Sequence, residues 1–359
     1  MKRMGYVYKI ITWLLILSMV LAVTGCGQSN RQEAADETRE NKQIQIGFSM
    51  DSLLIERWQR DRDIFVSRAA ELGAEVNLQN ANGDVNKQIE QINYFIEKKV
   101  DAIVIVAVDC DALSEVISKA RKAGIKVIAY DRLARKADVD LYISFDNEKV
   151  GELMGDALAE AAGEDAKILV INGPLTDNNV SYIIEGFKQE ATKAHFQILE
   201  TDYAESWTAE KAFTYTSDYL NKTDAEIPDG IMCGNDSLAG QAIKALSERR
   251  LAGKVAVVGQ DADLDACQRI VEGTQYMTVY KPVEQLAKRA AELVVDLAEG
   301  KEVQTEETIN DGTYDVPYVK LDPIAVTKDN MDKEIIGTFH QKDEVYMNVE
   351  AETTTAIGE

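Results

Sequence analysis

The chain has 359 residues, too many for one ordinary hydrophobic core, so two domains are expected. Apolar residues make up 45% of it, enough for well-buried cores, while aromatics are sparse at 7%. With 62 Asp and Glu against 39 Lys and Arg the formal charge is -23, which argues against a nucleic-acid partner and against electrostatic docking on an anionic lipid surface. What remains is a highly soluble exported protein.

The first nine residues include Lys2, Arg3 and Lys9, and 10–23 is an apolar run too short for a comfortable membrane span. This predicts a secretory leader over 1–25. Its end, LAVTGC at 21–26, resembles the lipobox of bacterial lipoproteins, a resemblance that implies lipid modification of Cys26. An uncleaved anchor helix is the alternative. Residues 26–43 are polar, mixed in charge and aperiodic, which predicts a disordered tether reaching roughly 55 Å when extended.

Cys110, Cys233 and Cys267 form no CxxC pair and are read as small buried apolar residues. Only His195 and His340 are present, so a histidine-rich metal site is excluded, and neither metal nor cofactor is expected.

From residue 44 short apolar strands alternate with amphipathic helices. IQIGFS, AEVNLQ, DAIVIVAV, KVIAY and LYISF are predicted strands, with helices over 57–72, 86–98 and 112–123. After the polar break at Asp146-Asn147 the pattern restarts with KILVIN, FQILET, DGIMCG, KVAVVG and YMTVY. Its helices fall at 178–193, 208–220, 237–250 and 264–272, and Pro282 opens a last long one. Such alternation predicts an α/β chain of two doubly wound parallel-sheet lobes. The turn-rich stretch 309–321 reads as a further connection between them. The expected lobes are 44–146 plus 279–310 and 147–278 plus 311–340, followed by an acidic tail over 341–359.

Ligands of open parallel sheets sit at the carboxyl ends of the strands. The residues placed there include Asp51, Arg57, Trp58, Asp131, Arg132, Asp177, Asn179, Trp207, Asn235, Asp261 and Lys281. Asp accepts hydrogen bonds, Arg and Lys donate, and Asn does both, which suits the hydroxyls of a polyol. Tryptophan offers a flat face to the C–H side of a sugar ring. Each residue also has a plainer reading: Asn and Asp after a strand are ordinary helix caps, and the tryptophans could be core. There is no GxGxxG, Walker loop or GxSxG elbow. A carboxylate pair for glycoside hydrolysis is not excluded by counting, but Arg132 and Lys281 beside Asp177 and Asp261 are expected to keep those acids ionised.

Several longer stretches carry a resemblance: ERWQRDRDIFV (56–66), AYDR (129–132), YISFDNEKVGEL (142–153), DNN (177–179), Asn235-Asp236 with AIKAL (242–246), GQDADL (259–264), MTVYKP (277–282) and DVP (315–317). The chain resembles the periplasmic sugar-binding proteins of type I fold, the solute receptors of ABC transporters, most closely their D-xylose-binding members. The resemblance implies two lobes joined by a three-segment hinge, with one sugar bound between them. It places Arg57, Arg132, Asp177, Asn179, Asn235, Asp261 and Lys281 on the sugar hydroxyls and Trp58 and Trp207 on its faces. It also leads us to expect hinge residues at Asp146, Asn147, Tyr280 and Gly312.

The function expected is a non-catalytic, lipid-anchored monomeric receptor on the outer face of the membrane, or in the periplasm, that delivers a monosaccharide to an ABC permease. A sensor that presents its closed form to a membrane histidine kinase is the alternative within the fold. A carbohydrate-active enzyme is the alternative outside it.

Overall fold

The structure, a computed structural model, describes residues 43–349. The expected leader, Cys26, the tether up to residue 42 and the tail beyond 349 lie outside the described residues. Among the described residues, thirteen strands form two sheets.

The first sheet holds β1 (Gln45–Met50), β2 (Glu75–Asn80), β3 (Ala102–Ile105), β4 (Lys126–Tyr130) and β5 (Leu141–Phe145), with β11 (Glu307–Asn310) and β12 (Asp315–Leu321) at one edge. Its order is β11-β12-β5-β4-β3-β1-β2, and every neighbouring pair except β11–β12 is parallel. The second holds β6 (Lys167–Asn172), β7 (Gln197–Tyr203), β8 (Gly230–Cys233), β9 (Ala256–Gln260), β10 (Met277–Tyr280) and β13 (Ile324–Val326), in the order β13-β10-β9-β8-β6-β7. Here only the β10–β13 pair is antiparallel. In both sheets the first strand lies inside and the second at the edge, so the order reverses beside the first strand. That is the switch-point geometry at which α/β proteins open a crevice.

Near-continuous apolar strands suit sheets buried on both faces. IVI of β3 and VVG of β9 are fully buried. The covering helices are α1 (Arg57–Glu71), α2 (Val85–Lys98), α3 (Ser114–Lys122) and α9 (Val283–Ala298) on the first lobe. The second carries α4 (Asn147–Ala162), α5 (Asn178–Lys193), α6 (Glu210–Leu220), α7 (Asp236–Glu248) and α8 (Leu264–Glu272). The α4 and α5 axes approach closely where Gly151 and Gly186 face each other's backbones. A Cβ on either would overlap the main chain of the other helix. This close crossing sets Asn178 and Asn179, at the start of α5, against Asn147 at the start of α4. Cys110, Cys233 and Cys267 are buried free thiols, and burial pushes the Cys110 thiol up to about 12.

The chain crosses between the sheets three times, at Asp146, at Lys281–Pro282 and at Asp322–Pro323. Asp146 is a crossover residue and also the cap of α4, its carboxylate accepting from the Lys149 amide at 3.0 Å. Tyr280 is the last residue of β10 and pairs with Ile324. Gly312 is not at a crossing. It sits at φ +99° in the hairpin turn between β11 and β12, both strands of the first sheet. The expected lobe change at 311 therefore falls at 322 instead, because DVPYVKL is a strand parallel to β5 rather than a connection. The expected change at 279 falls at 281, since Val279 and Tyr280 still pair with β13. Residues 341–349 are not a free tail as far as they are described. Short helices α10 (Met331–Glu334) and α11 (Lys342–Val345) bury Met331, Ile335, Phe339 and Val345 against Val271, Tyr280 and Val326.

Among the described residues no helix is long and apolar enough to cross a membrane.

Candidate ligand-binding site

The carboxyl ends of both sheets face each other and enclose one cavity. Ile55, Arg57, Trp58, Asp131, Arg132, Asp177, Asn179, Trp207, Asn235, Gln260, Asp261 and Lys281 line it. All nine residues singled out as sugar contacts are in this wall. The space left between them is about 20 Å³, room for about one water molecule.

Two arginines organise the first lobe's side. Arg57 opens α1, and its Nη2 lies 3.2 Å from Asp61 Oδ1 and 3.0 Å from Asp131 Oδ2. Tyr130 donates to the same Asp61 carboxylate. Arg132 places Nη1 2.7 Å from Asp51 Oδ2 and donates to the Ala107 carbonyl at 3.1 Å. The Trp58 ring lies under both cations, 4.5 Å from the Arg57 guanidinium carbon and 5.7 Å from that of Arg132. Each guanidinium is thus fixed by carboxylates behind it and by an aromatic face beside it.

The second lobe supplies acceptors and amides. Asp177 divides its two oxygens: Oδ1 caps α5 through the Asn179 amide at 3.0 Å, while Oδ2 takes Arg132 Nε at 2.7 Å and Trp207 Nε1 at 3.3 Å. Asn235 caps α7, with Oδ1 accepting from the Leu238 amide at 2.9 Å. It therefore offers a ligand its Nδ2 donor. Both residues are helix caps and also line the cavity. Lys281 Nζ lies 3.5 Å from Asp261 Oδ1, which Arg57 Nη1 approaches to 3.9 Å from the other lobe. Asn179 donates to Asp131 Oδ1 at 3.1 Å across the same gap and accepts from Asn147 Nδ2 at 3.0 Å. Asn147 therefore supports the wall from behind.

Charge at the site is finely divided. Burial would push the Asp131 carboxyl up, but Arg57, Lys281 and Arg132 outweigh it and hold it below the ordinary carboxylate range. At Asp177 the balance runs against the expectation: burial pushes the carboxyl up, and Arg132 offsets this only in part. Behind Asp261, burial lifts Asp236 to about 7 despite Thr278, Arg269 and Gln275.

Ile55, Asp131 and Gln260 also line the cavity; Asp131 was placed at its strand end from the sequence, but none of the three was singled out as a sugar contact. Asp131 and Asp261 follow β4 and β9 at φ +62° and +97°. A left-handed residue at the strand end turns the chain so that two successive positions face the gap. Hence Asp131 joins Arg132, and Gln260 joins Asp261. The buried Trp58 Nε1 and Gln260 Oε1 have no protein partner. One donor and one acceptor of this kind suit a ligand with hydroxyl groups, which both give and take hydrogen bonds.

Residues 46–302 match the periplasmic binding protein domain family. The D-xylose-binding periplasmic protein of Haemophilus influenzae is 43% identical over 311 residues, covering 85% of this chain and 93% of the relative. That of Escherichia coli is 42% identical over 309 residues, with coverage of 85% and 93%. The structure of an ABC transporter solute-binding protein from Clostridium phytofermentans with bound β-D-glucose superposes with a TM-score of 0.76 at 26% identity, covering 84% of this chain and 99% of that one. The chain belongs to the periplasmic binding protein family, in its form with two parallel-sheet α/β lobes.

Proposed function

We propose that the protein is the solute receptor of an ABC transporter and that its ligand is a monosaccharide, D-xylose first. The observation that carries this is the wall itself: three cations, three carboxylates and three amides with two tryptophans, drawn from seven strand ends of two facing sheets. Relatives at 43% and 42% identity are D-xylose-binding proteins, and they support the choice of pentose. The relatives are binding proteins, and this chain is a binding protein rather than an enzyme.

A ring sugar needs more than 20 Å³, so entry requires the lobes to part about the three crossovers. Closure then brings both walls onto the ligand, and binding favours the closed form because only there do both lobes touch it. Arg57, Arg132 and Lys281 donate to ring hydroxyls, Asp177 and Asp261 accept, and Asn179 and Asn235 complete the ring of contacts. The tryptophans cover the C–H faces. A wall this close discriminates against an added CH₂OH group by steric conflict. Lipid attachment at Cys26 would hold the receptor, working as a monomer, at the outer face of the membrane beside its permease.

Calorimetry of the chain from residue 27 against xylose, ribose, arabinose, glucose and galactose tests this. Xylose is expected to bind at micromolar Kd or tighter, about -8 kcal/mol. Binding of none of the five below about 100 μM, roughly -5.5 kcal/mol, ends the sugar-receptor reading.

A further inference from the structure

Arg60 stands one turn beyond Arg57 on α1, and residues three apart share a face of a helix. Arg57 reaches Asp261 in the second lobe. Arg60 also reaches into the second lobe, but outside the cavity. Its Nη1 donates to the Phe339 carbonyl at 2.6 Å, and its guanidinium carbon lies 4.2 Å from the centroid of the Phe339 ring. Phe339 is buried against Tyr280, centroid to centroid 5.0 Å. The next residue, His340, donates from Nε2 to the Ala262 carbonyl at 2.8 Å.

Asp261 and Ala262 are consecutive non-glycine residues at φ +97° and +54°. Such a pair persists only where surrounding bonds over-determine it. Here the Asp261 amide donates to the Val279 carbonyl at 2.8 Å, the Ala262 amide to Thr278 Oγ1 at 3.1 Å and the Asp263 amide to Asp236 Oδ2 at 3.1 Å. These three bonds lie within the second lobe. The Cys267 thiol at 3.6 Å and His340 both donate to the Ala262 carbonyl, and the neighbour of His340, Phe339, is pinned by a residue of the first lobe.

We propose that Arg60 is a positioning residue for ligand binding: by gripping the Phe339–His340 corner it latches the two lobes outside the cavity and steadies the loop that presents Asp261. The inference rests on the receptor reading for its effect on sugar affinity, and on geometry alone for its effect on lobe closure. Arg60 is not among the residues that line the cavity, so its contribution is the same for every sugar the site accepts.

The test uses Arg60→Ala and Arg60→Lys in the full chain, with calorimetry on the five sugars, thermal melting and small-angle scattering without and with xylose. Arg60→Ala is expected to weaken every sugar that the unaltered protein binds by one common factor, roughly five- to tenfold. The order of preference and the melting temperature stay as they were, and the ligand-free radius of gyration rises. Arg60→Lys recovers part of the affinity, since an ammonium still donates to the Phe339 carbonyl. Unchanged affinity in Arg60→Ala overturns the proposal, and so does a changed order of sugars, which would put Arg60 in the pocket. If the unaltered protein binds none of the sugars, the receptor reading fails by itself. Scattering still decides the latch then, and equal radii of gyration overturn it.

Discussion

Arg132 and Asp177 meet across the lobe boundary, Nε to Oδ2 at 2.7 Å, with both side chains 4% exposed. Arg132 also holds Asp51 of its own lobe at 2.7 Å. One cation therefore neutralises two buried carboxylates, one from each side of the gap. Removing one partner of a buried pair leaves an uncompensated charge and costs about 3–5 kcal/mol. Arg132→Met is expected to lose stability of this order in denaturant unfolding and to lose measurable sugar binding. Adding Asp177→Asn should restore part of the stability but none of the affinity. If the double variant is no more stable than the single one, the two side chains are not coupled as the geometry indicates.

Much of this arrangement was legible in the sequence, for a physical reason. Strand ends in parallel sheets are marked by the switch from buried apolar residues to polar ones, as at KVIAY followed by Asp131-Arg132. What was not legible is which of two successive polar residues faces the gap, because that depends on φ. The hinge at Gly312 was misplaced for a related reason. INDGTYDVP reads as a turn, and it is one, but it joins two strands of one sheet rather than two lobes. Nothing local distinguishes a hairpin that adds an edge strand from a segment that crosses over. The change of sheet two residues after β12, at Asp322–Pro323, carries only a proline as its signal. The packing of residues 331–345 was hidden by their acidity, since few apolar side chains there are enough to cover α8 and β10.

Asp261 sits where three cationic or strained features meet: Lys281 at 3.5 Å, Arg57 at 3.9 Å and a left-handed backbone. Replacing it with alanine removes a charged acceptor from a buried site. The expected loss in xylose binding is roughly 2–4 kcal/mol. Titration calorimetry reads this directly, and an unaltered Kd would remove Asp261 from the ligand contacts.

Gly173, just after β6, lies under the indole of Trp207, where a Cβ would overlap the ring carbons. Trp207 is also fixed by its bond to Asp177 Oδ2 at 3.3 Å. Gly173→Ala should therefore push the ring toward the cavity and break that bond while leaving the sheet intact. We expect sugar affinity to fall about tenfold, with a stability change near 1–3 kcal/mol from overpacking. Tryptophan fluorescence should shift in the variant without ligand. A variant with both affinity and emission unchanged would show that the ring has room elsewhere.

Asp236 contributes to the pH dependence of stability, together with the other carboxyls that burial raises, Asp263, Asp177 and Asp61, and a variant isolates its share. Its oxygens accept from Thr278 Oγ1 at 2.6 Å, Gln275 Nε2 at 2.8 Å and the Asp263 amide at 3.1 Å. Burial lifts its carboxyl from 3.8 to about 7, with Asp261 adding to the rise and Thr278, Arg269 and Gln275 opposing it. Between pH 3.8 and about 7 the folded protein then holds a proton that the unfolded chain has released. Stability must fall as pH rises through this window, and this group adds no further change outside it. Asp263 is raised by burial and by Asp236, and acts in the same direction. Asp131 and Asp311 are lowered and act in the opposite direction, but below the ordinary carboxylate range. Asp236→Asn stays neutral throughout and keeps one acceptor. Guanidinium unfolding at pH 5, 6 and 7.5 should show the unaltered protein losing at least ~1 kcal/mol more than the variant over the range. Parallel stability curves would mean that Asp236 is already ionised in the folded protein at pH 5.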